Sequence, residues 1–172
     1  INLNDDFHTP QAVILSPTRE LATQTYNVCT SLIQKTKSTC TLCTGGMGRS
    51  RYGHHLNNDI LIATPGRFKD LLYNNCIYTK DIKIIIIDEA DELFLTSFKQ
   101  DMFDIFKGLP EFSQVVLISA TITQEFKRIT TGLLQEDHVT IYVDNIDLNV
   151  EGIKQYFIDV DERDKFDLLM EL

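Results

Sequence analysis

Short runs of apolar residues recur along the chain and predict the strands of a buried sheet. The clearest run is Ile84–Ile87, four isoleucines in succession with no polar residue between them. β-Branched runs without a polar face are typical of strands covered on both sides, as in a parallel sheet between two layers of helices. Further strands are predicted at residues 12–16, 39–43, 60–63, 115–118, 139–143 and 154–160.

Helices are predicted between the strands, because apolar residues there recur at helical spacing. Thr18 suits the N-cap of the first helix, and Thr64, with Pro65 at the first helical position, begins the second. The residues at helical spacing are Leu21, Thr25, Val28 and Leu32 in the first helix and Phe68, Leu71 and Leu72 in the second. After Asp91 a single amphipathic helix is predicted, with an apolar stripe formed by Phe94, Phe98, Met102, Ile105 and Phe106.

Alternating strands and helices predict an α/β fold, a parallel sheet with helices on both faces. Each parallel strand re-enters the sheet through a right-handed crossover, so the carboxyl ends of the strands share one edge. The turns after Ser16, Cys43 and Ala63 and the acidic turn after Ile87 should therefore lie together. Open sheets of this class bind their ligands at that edge.

The 172 residues, 43% hydrophobic and 24% charged, have the composition of an ordinary globular protein with room for a full core. No apolar run approaches the roughly 20 residues of a membrane span, and the first residues lack the pattern of a signal peptide. We therefore expect no membrane partner and a cytoplasmic location, with the nucleus as the alternative. Because the chain begins with Ile1 and stops inside a helical pattern, we also expect a fragment of a longer protein.

The net charge of −9 argues against a nucleic-acid partner, but the charge is unevenly distributed. Residues 1–87 carry 9 basic and 6 acidic side chains, whereas residues 88–172 carry 7 basic and 19 acidic ones. A mildly basic first half predicts that any phosphate-binding surface lies there. The alternative, that most of these charges are solvated surface residues, stays open.

Three carboxylates, Asp88, Glu89 and Asp91, follow the isoleucine strand directly. At the carboxyl edge of a sheet such groups can hold Mg²⁺ through oxygen or water and place a base beside a phosphate. The alternative is that they only cap and charge the start of the next helix.

Two hydroxyl residues, Ser119 and Thr121, follow the strand predicted at residues 115–118. A hydroxyl at that strand end can bond a neighbouring carboxylate, and Asp91 is the obvious candidate. The alternative role is local, because Thr121 with Gln124 has the pattern of a capping box for the following helix.

Two of the predicted helices carry an arginine in their first turn, Arg19 and Arg67. Free main-chain N–H groups at a helix start attract phosphate, whereas an arginine there opposes the helix dipole and needs a reason. Binding a phosphate backbone is one reason, and pairing with acidic residues elsewhere in the fold is the other. Between these helices, Gly45 and Gly46 follow a strand and allow the main chain to approach a ligand closely.

Cys40 and Cys43 have the spacing of a metal-binding or redox pair. A step of three residues along a strand, however, places the two side chains on opposite faces. The sequence contains no second such pair to complete a zinc site. We therefore predict buried free thiols.

Five segments, taken in order, resemble the motifs of the DEAD-box RNA helicases. They are Pro-Thr-Arg-Glu-Leu-Ala at residues 17–22, Gly-Gly at 45–46, Thr-Pro-Gly-Arg at 64–67, Asp-Glu-Ala-Asp at 88–91 and Ser-Ala-Thr at 119–121. One short motif arises by chance, but five in this order do not, and the resemblance covers nearly the whole chain. It implies a RecA-like parallel sheet and an ATP-dependent RNA helicase.

The resemblance also implies how the chain is divided. Residues 1–147 would be an incomplete N-terminal RecA-like domain, and residues 148–172 a linker and the start of a second RecA-like domain. Within the family, residues 98–106 and 150–156 look most like translation initiation factor 4A and its exon-junction relative. That likeness implies a function in translation initiation and a scaffold of the initiation-factor 4G type as partner.

By the same resemblance, ATP and Mg²⁺ are the cofactors. Asp88 would hold Mg²⁺ through water, and Glu89 would orient and deprotonate the water that attacks the γ-phosphate of ATP. Asp91 would bond Ser119 and Thr121 and link the nucleotide site to the RNA side. The residues implied to touch the RNA backbone, without sequence preference, are Thr18, Arg19, Gly46, Thr64, Gly66 and Arg67.

The chain departs from the family in two respects. No G-x-x-x-x-G-K-[ST] phosphate loop occurs in its sequence, and the second motor domain is absent beyond its first strand and helix, residues 153–172. We therefore expect these 172 residues alone to be poorly folded and inactive. A catalytically inactive scaffold that binds RNA or protein is the alternative function. A Mg²⁺-dependent phosphotransfer domain ranks last, because neighbouring strand ends carry Thr, Gly and Ser instead of the further Asp and Lys it needs.

Overall fold

The computed structural model describes residues 3, 9–46, 56–141, 154 and 156–172 of the chain. Contacts within the chain define two units, Ile1–Asp137 and His138–Leu172. The predicted domain boundary, between residues 147 and 148, lies outside the described residues. The assignment of residues 148–172 to a linker and a second RecA-like domain therefore stays a prediction.

Strands and helices alternate through the described part of the first unit. The strands are β1 (Ala12–Leu15), β2 (Cys40–Cys43), β3 (Ile60–Ala63), β4 (Ile84–Ile87) and β5 (Gln114–Leu117). The helices are α1 (Arg19–Ile33), α2 (Pro65–Tyr73), α3 (Ala90–Leu95), α4 (Lys99–Lys107) and α5 (Gln124–Thr130). The second unit contains a 3-10 helix at Glu162–Asp164 and helix α6 (Lys165–Glu171). Within the described ranges, every helix is too short or too polar to cross a membrane.

The five strands form one sheet in the order β2-β3-β1-β4-β5, and every neighbouring pair is parallel. Leu15, the last residue of β1, lies between Ala63 of β3 and Ile87 of β4. Cys43 lies beside Ala63, and Leu117 lies beside Ile87. The strand ends are therefore aligned, and the turns that follow them share one edge. The predicted parallel α/β sheet is confirmed.

Successive residues of each strand point to opposite faces of the sheet and enter two separate apolar clusters. Ile85 and Ile87 belong to the larger cluster, which includes side chains of α2, α3, α4 and α5. Ile84 and Ile62 belong to the smaller cluster, on the side of α1. Helices thus cover both faces, as the uninterrupted isoleucine run predicts.

Helix α1 buries a different face from the predicted one. Val28 and Leu32 are 61% and 76% exposed, whereas Ala22 is fully buried. The other α1 residues packed on the smaller cluster are Tyr26, Cys29 and Ile33. Two stripes of this helix have helical spacing, and packing against the sheet, not the spacing, decides between them.

The single helix predicted after Asp91 is wrong, because the segment forms two helices, α3 and α4. Thr96 ends α3 in an extended conformation (φ −113°, ψ −161°), and its hydroxyl donates to the carbonyl of Glu92 (2.7 Å). The same kind of bond occurs inside α1, from Thr23 to the carbonyl of Arg19 (2.7 Å), without ending that helix, so this bond accompanies the break and does not by itself explain it. The predicted core positions are nevertheless buried or partly buried, and Phe94, Met102 and Ile105 are fully so.

Two predicted strands are not formed in the part of the chain that the structure describes. Residues 139–141 and 156–160 adopt no strand, and residues 142, 143 and 155 lie outside the described ranges. Strand β5, predicted as buried, is the last strand of the sheet as described, and Val115, Val116 and Leu117 are only partly buried. An apolar run does not show whether a strand is central or at an edge.

Candidate functional site

The acidic turn after β4 is held by main-chain hydrogen bonds to both neighbouring strands. The N–H of Asp88 donates to the carbonyl of Leu15 in β1 (2.9 Å). The N–H of Ala90 donates to the carbonyl of Ile118, directly after β5 (2.9 Å). The N–H of Glu89 donates to Oδ1 of Asp88 (3.1 Å). The turn therefore holds Asp88 and Glu89 at the carboxyl edge, between the ends of β1 and β5.

Glu89 has a left-handed backbone conformation, with φ 49° and ψ 52°. Asn75 is the only other non-glycine residue with a positive φ in the described ranges. For such residues this conformation costs about 1–3 kcal/mol, and strain of this kind concentrates at functional sites. Glu89 occupies the N-cap position of α3, yet its side chain makes no capping hydrogen bond. A purely capping role therefore does not explain Glu89.

Asp91 is joined to the segment after β5 through Thr121. The hydroxyl of Thr121 donates to Oδ2 of Asp91, as predicted for this strand end. The hydroxyl of Ser119 donates to the main-chain carbonyl of Thr121 (2.6 Å) and accepts from the N–H of Thr121 (3.2 Å). Ser119 therefore fixes the backbone of the residue that binds Asp91.

The predicted capping box of Thr121 and Gln124 is wrong. The N-cap of α5 is Thr123, whose hydroxyl accepts a hydrogen bond from the N–H of Phe126 (3.1 Å). The helix begins at Gln124, so Thr121 lies too far upstream to cap it. The hydroxyl of Thr121 is thereby left for the contact with Asp91.

The pKa of Asp91 is lowered from its ordinary value. Burial acts in the opposite direction and is the largest single effect, since it disfavours the charged carboxylate. The hydrogen bond from Thr121, the nearby hydroxyl of Ser119 and the main-chain N–H groups of Asp91 and Glu92 together outweigh it. Asp91 is therefore held as a carboxylate between two strand ends.

Two buried side-chain atoms of the described residues lack a hydrogen-bond partner, Oδ1 of Asp91 and Oγ of Ser16. Ser16 directly follows β1 and is fully buried, and its N–H donates to the carbonyl of Ala63 (3.1 Å). Buried polar atoms are normally paired, so two unpaired ones at the same edge indicate a place for a ligand or water. No sequence motif marks Ser16, and only its burial reveals it.

The chemistry of this edge fits a hydrated Mg²⁺ ion bound together with a nucleotide. Among the described residues, no three or more His, Cys, Asp or Glu side chains are grouped to hold a metal ion by themselves. Mg²⁺, however, commonly keeps several waters and binds through one or two carboxylates plus substrate phosphates. Asp88 offers such a carboxylate, so phosphate and water would have to supply the remaining ligands.

Arg19, in the first turn of α1, lies over the glycines that follow β2. A Cβ atom added to Gly45 or Gly46 would lie 3.1 Å from a guanidinium nitrogen of Arg19, and Gly46 has a φ of +85°. The glycines therefore admit the guanidinium to the main chain of this turn. Within residues 9–46 and 56–141, the structure shows no acidic side chain paired with Arg19, so the predicted alternative of an internal ion pair is not seen there.

Arg67, in the first turn of α2, has an acidic partner in its own helix. Its Nη1 lies 2.8 Å from Oδ2 of Asp70, and its Nε donates to the carbonyl of Thr44 after β2 (3.3 Å). Asn74 in turn donates to Oδ1 of Asp70 (3.0 Å). The predicted alternative of an ion pair is therefore present for Arg67, and the pair fixes the guanidinium between α2 and the turn after β2.

The start of α2 leaves main chain accessible. Thr64 is the N-cap, as predicted, but its side chain makes no capping hydrogen bond. Gly66 is exposed, and a Cβ atom there would meet only Oδ2 of Asp101, at 3.8 Å. Packing within the chain therefore does not require glycine at this position. Thr18, in contrast, does cap α1, because its hydroxyl accepts from the N–H of Leu21 (3.2 Å).

The strand order separates the predicted site residues into two neighbouring groups. The residues predicted to bind a phosphate backbone follow β2, β3 and β1, which are adjacent in the sheet. The carboxylates and hydroxyls follow β4 and β5, which come next in the sheet. The edge can therefore bind an extended anion along one half and carry acid–base chemistry at the other.

The ion pairs of Lys69 depend on contacts that the sequence does not show, whereas the cysteines could be interpreted from their spacing. Lys69 of α2 forms ion pairs with Asp101 and Asp104 of α4, both at 2.8 Å, although no motif contains these residues. Cys40 and Cys43 are free and lie on opposite faces of the sheet, as predicted, but only Cys43 is buried; Cys40 is partly buried, so the prediction of a buried thiol is wrong for it. Burial, followed by the neighbouring Cys29, raises the pKa of Cys40 to about 12, which keeps it a thiol.

The profile of the DEAD/DEAH box helicase family matches residues 1–129. The chain is 38% identical over 174 residues to the ATP-dependent RNA helicase eIF4A of Yarrowia lipolytica, covering 99% of the chain and 44% of that protein. It is 40% identical over 165 residues to the ATP-dependent RNA helicase FAL1 of the same organism, covering 94% of the chain and 41% of that protein. The chain thus spans about two fifths of the length of these relatives.

Among solved structures, the chain is similar to S. cerevisiae Dbp5 bound to RNA and ADP BeF3, with a TM-score of 0.86 and 30% identity. The match covers 98% of this chain and 43% of that one. A variant of Dbp5 bound to the same ligands matches with a TM-score of 0.85 and 31% identity, covering 99% of this chain and 43% of that one. The expected RecA-like sheet and the expected likeness to initiation factor 4A are both confirmed.

Proposed function

The chain belongs to the DEAD/DEAH box helicase family, and from that premise we propose that the full-length protein uses ATP hydrolysis to unwind short RNA duplexes. One observation carries the proposal: a strained acidic turn lies on the same sheet edge as the turns that bear Arg19 and Arg67. An acid–base group is thereby placed beside a surface suited to a phosphate backbone. The RNA helicase relatives and the RNA-bound Dbp5 structures support this function.

On the nucleotide side, ATP and Mg²⁺ are the proposed cofactors, and bound Mg²⁺ supplies positive charge that stabilises the reacting phosphates. Asp88 would hold the ion through water. Glu89 would orient the attacking water and accept its proton. The left-handed backbone of Glu89 and the hydrogen bonds of the turn support this role, since they fix where the carboxylate leaves the main chain.

On the RNA side, the proposed contacts are to sugar and phosphate and carry no base preference. Arg19 lies on an open glycine turn, Arg67 is anchored by Asp70 and Thr44, and Gly66 is exposed without an internal reason to be glycine. The full proposed set is Thr18, Arg19, Gly46, Thr64, Gly66 and Arg67.

Asp91 and Thr121 would connect the two sides. Their hydrogen bond joins the turn after β4 to the segment after β5, and Ser119 holds the main chain of Thr121. A change in the bound nucleotide that moves the turn after β4 would therefore also move the segment after β5, through the hydrogen bond between Asp91 and Thr121. We further propose translation initiation as the process, a 4G-type scaffold as partner and the cytoplasm as location, with the nucleus as the alternative. The likeness to eIF4A supports these assignments.

Glu89→Gln in the full-length protein tests the proposed function. The amide cannot accept a proton from the attacking water, so RNA-stimulated ATP turnover is expected to fall by about 10²–10⁴-fold. Binding of ATP and RNA should be retained, because no charge that holds phosphate is removed. Phosphate release measures turnover, and fluorescence polarisation of a labelled RNA measures binding.

Glu92→Gln is the matched control, because Glu92 is exposed in the first turn of α3 and has no assigned role. Unchanged turnover in Glu89→Gln would remove Glu89 from the chemistry. If the wild-type protein binds RNA and hydrolyses no ATP, an RNA-binding scaffold replaces the helicase as its function.

A further inference from the structure

A charged cluster joins α2 to α4 beside the proposed RNA surface. Nζ of Lys69 lies 2.8 Å from Oδ1 of Asp101 and 2.8 Å from Oδ2 of Asp104. The three side chains are similarly accessible, at 24%, 28% and 20%. Two carboxylates face one ammonium group, so these three residues, here called the α2–α4 ion cluster, carry a formal charge of minus one.

The two carboxylates of the α2–α4 ion cluster differ in position. Oδ2 of Asp101 lies 3.8 Å from where a Cβ atom of Gly66 would be, whereas Asp104 makes no such approach. Asp101 therefore borders the open main chain at the start of α2, and Asp104 lies almost one turn further along α4. A phosphate at Gly66 would meet the Asp101 carboxylate at short range.

We propose that Asp101 limits the affinity of the protein for RNA by repelling phosphate at Gly66, and that Lys69 moderates this repulsion; the inference rests on the proposed RNA-binding function. Like charges a few ångströms apart at a protein surface repel strongly enough to change binding severalfold. Lys69 compensates part of the negative charge and holds Oδ1 of Asp101. Such a residue favours release of the bound strand, which a helicase needs after each cycle.

If the α2–α4 ion cluster has only a structural role, removing a carboxylate should change RNA affinity in the opposite direction. If the ion pairs only hold α4 against α2, removing either carboxylate weakens the structure and leaves RNA binding equal or weaker. If Asp101 repels phosphate, its neutralisation strengthens binding even though an ion pair is lost. The direction of the change therefore separates the two roles.

The experiment measures binding of a short labelled oligouridine to the full-length protein with ADP BeF3, by fluorescence polarisation. Asp101→Asn is expected to tighten binding about three- to tenfold at low salt, and the gain should shrink as salt screens the charges. Asp104→Asn is the matched control, since it breaks an ion pair of the same length to Lys69 and removes one charge away from Gly66, while the asparagine can keep the hydrogen bond from Gln100 (3.1 Å). Its gain should be smaller, and Lys69→Met should weaken binding.

Two further controls change one charge at the opposite, amino edge of the sheet. Glu111→Gln, in the loop before β5, and Lys80→Met, in the segment before β4, are both exposed and should change binding less than twofold. An Asp101→Asn variant that binds RNA no tighter than wild type, or no tighter than Asp104→Asn, overturns the proposal. Far-UV circular dichroism confirms that each variant is folded.

Arg67→Ala in the same assay separates this inference from the function on which it rests. If Arg67→Ala leaves RNA binding unchanged, the proposed RNA surface is wrong. If Arg67→Ala weakens binding and Asp101→Asn does not strengthen it, the RNA surface stands and only the role of Asp101 is wrong.

Discussion

Thr121→Val removes the hydroxyl that donates to Asp91 and keeps nearly the same shape. A hydrogen bond to a charged group contributes about 1.5–3 kcal/mol and an ordinary one about 0.5–1.5 kcal/mol; because Thr121 is exposed, this bond should contribute about 1–2 kcal/mol, between the two classes. The contact between the turn after β4 and the segment after β5 should open more easily by that amount. Amide hydrogen exchange of the full-length protein, followed by mass spectrometry, should show about 5- to 30-fold faster exchange around residues 118–123.

Two variants make the result specific. Thr121→Ser keeps a hydroxyl and should restore most of the protection. Thr123→Val removes the neighbouring hydroxyl, which caps α5, and should expose the start of that helix without affecting the turn at Asp91. Exchange in Thr121→Val that equals wild type would refute the reasoning, because the bond would then contribute nothing to holding the two strand ends together.

The stabilisation by the hydrogen bond from Thr121 to Asp91 also has a defined pH dependence. The pKa of Asp91 is lowered in the folded chain, because the hydrogen bonds to its carboxylate outweigh the effect of burial. The stabilisation is therefore present above the ordinary pKa of about 4 and is lost as pH falls through the lower folded value. The difference between Thr121→Val and wild type should be full at neutral pH and diminish in acid. A difference that grows on acidification would assign the effect to another group.

The remaining predictions concern the RNA surface. Arg67→Ala should weaken RNA binding about equally for all sequences and reduce the salt dependence of binding by about one phosphate contact, measured by polarisation across a salt series. A loss confined to some sequences would indicate base contact instead. Gly66→Ala should leave the fold intact, because the added Cβ has room, but should weaken RNA binding at least about threefold by keeping phosphate from the main chain. Gly132→Ala, with open space around it, is the matched control, and equal behaviour of the two variants would contradict a contact at Gly66.

Local sequence was a good guide to the strands and to the order of the site segments. The run Ile84–Ile87 could be assigned to a strand covered on both faces, because β-branched residues without a polar face suit no exposed element. The contact of Asp91 with Thr121 could be anticipated as well, because right-handed crossovers bring the ends of parallel strands to one edge. Both conclusions depend on chain geometry that is nearly independent of the rest of the sequence.

Side-chain packing could be predicted less well from local sequence. The buried face of α1 was misjudged, because Val28 and Leu32 are as apolar as the residues that the helix does bury. The break between α3 and α4 at Thr96 could not be predicted either, because Thr23 makes the same hydrogen bond inside α1 without ending that helix. Thr123 caps α5 instead of Thr121, and two similar residues a short distance apart cannot be distinguished without the bond each one makes.

The sequence by itself determined the α/β class, the strand positions in the first unit and the motifs that place the chain among the DEAD/DEAH box helicases. These depend on local periodicity and on residue identity, and both are properties of the sequence before it folds. Only the tertiary structure decided the left-handed backbone of Glu89, the unpaired oxygen of Ser16 and the pairing of Lys69 with Asp101. Each of these features arises where segments far apart in the sequence come together. The energy of such a contact depends on the distance between the segments, which the sequence of either segment alone does not determine.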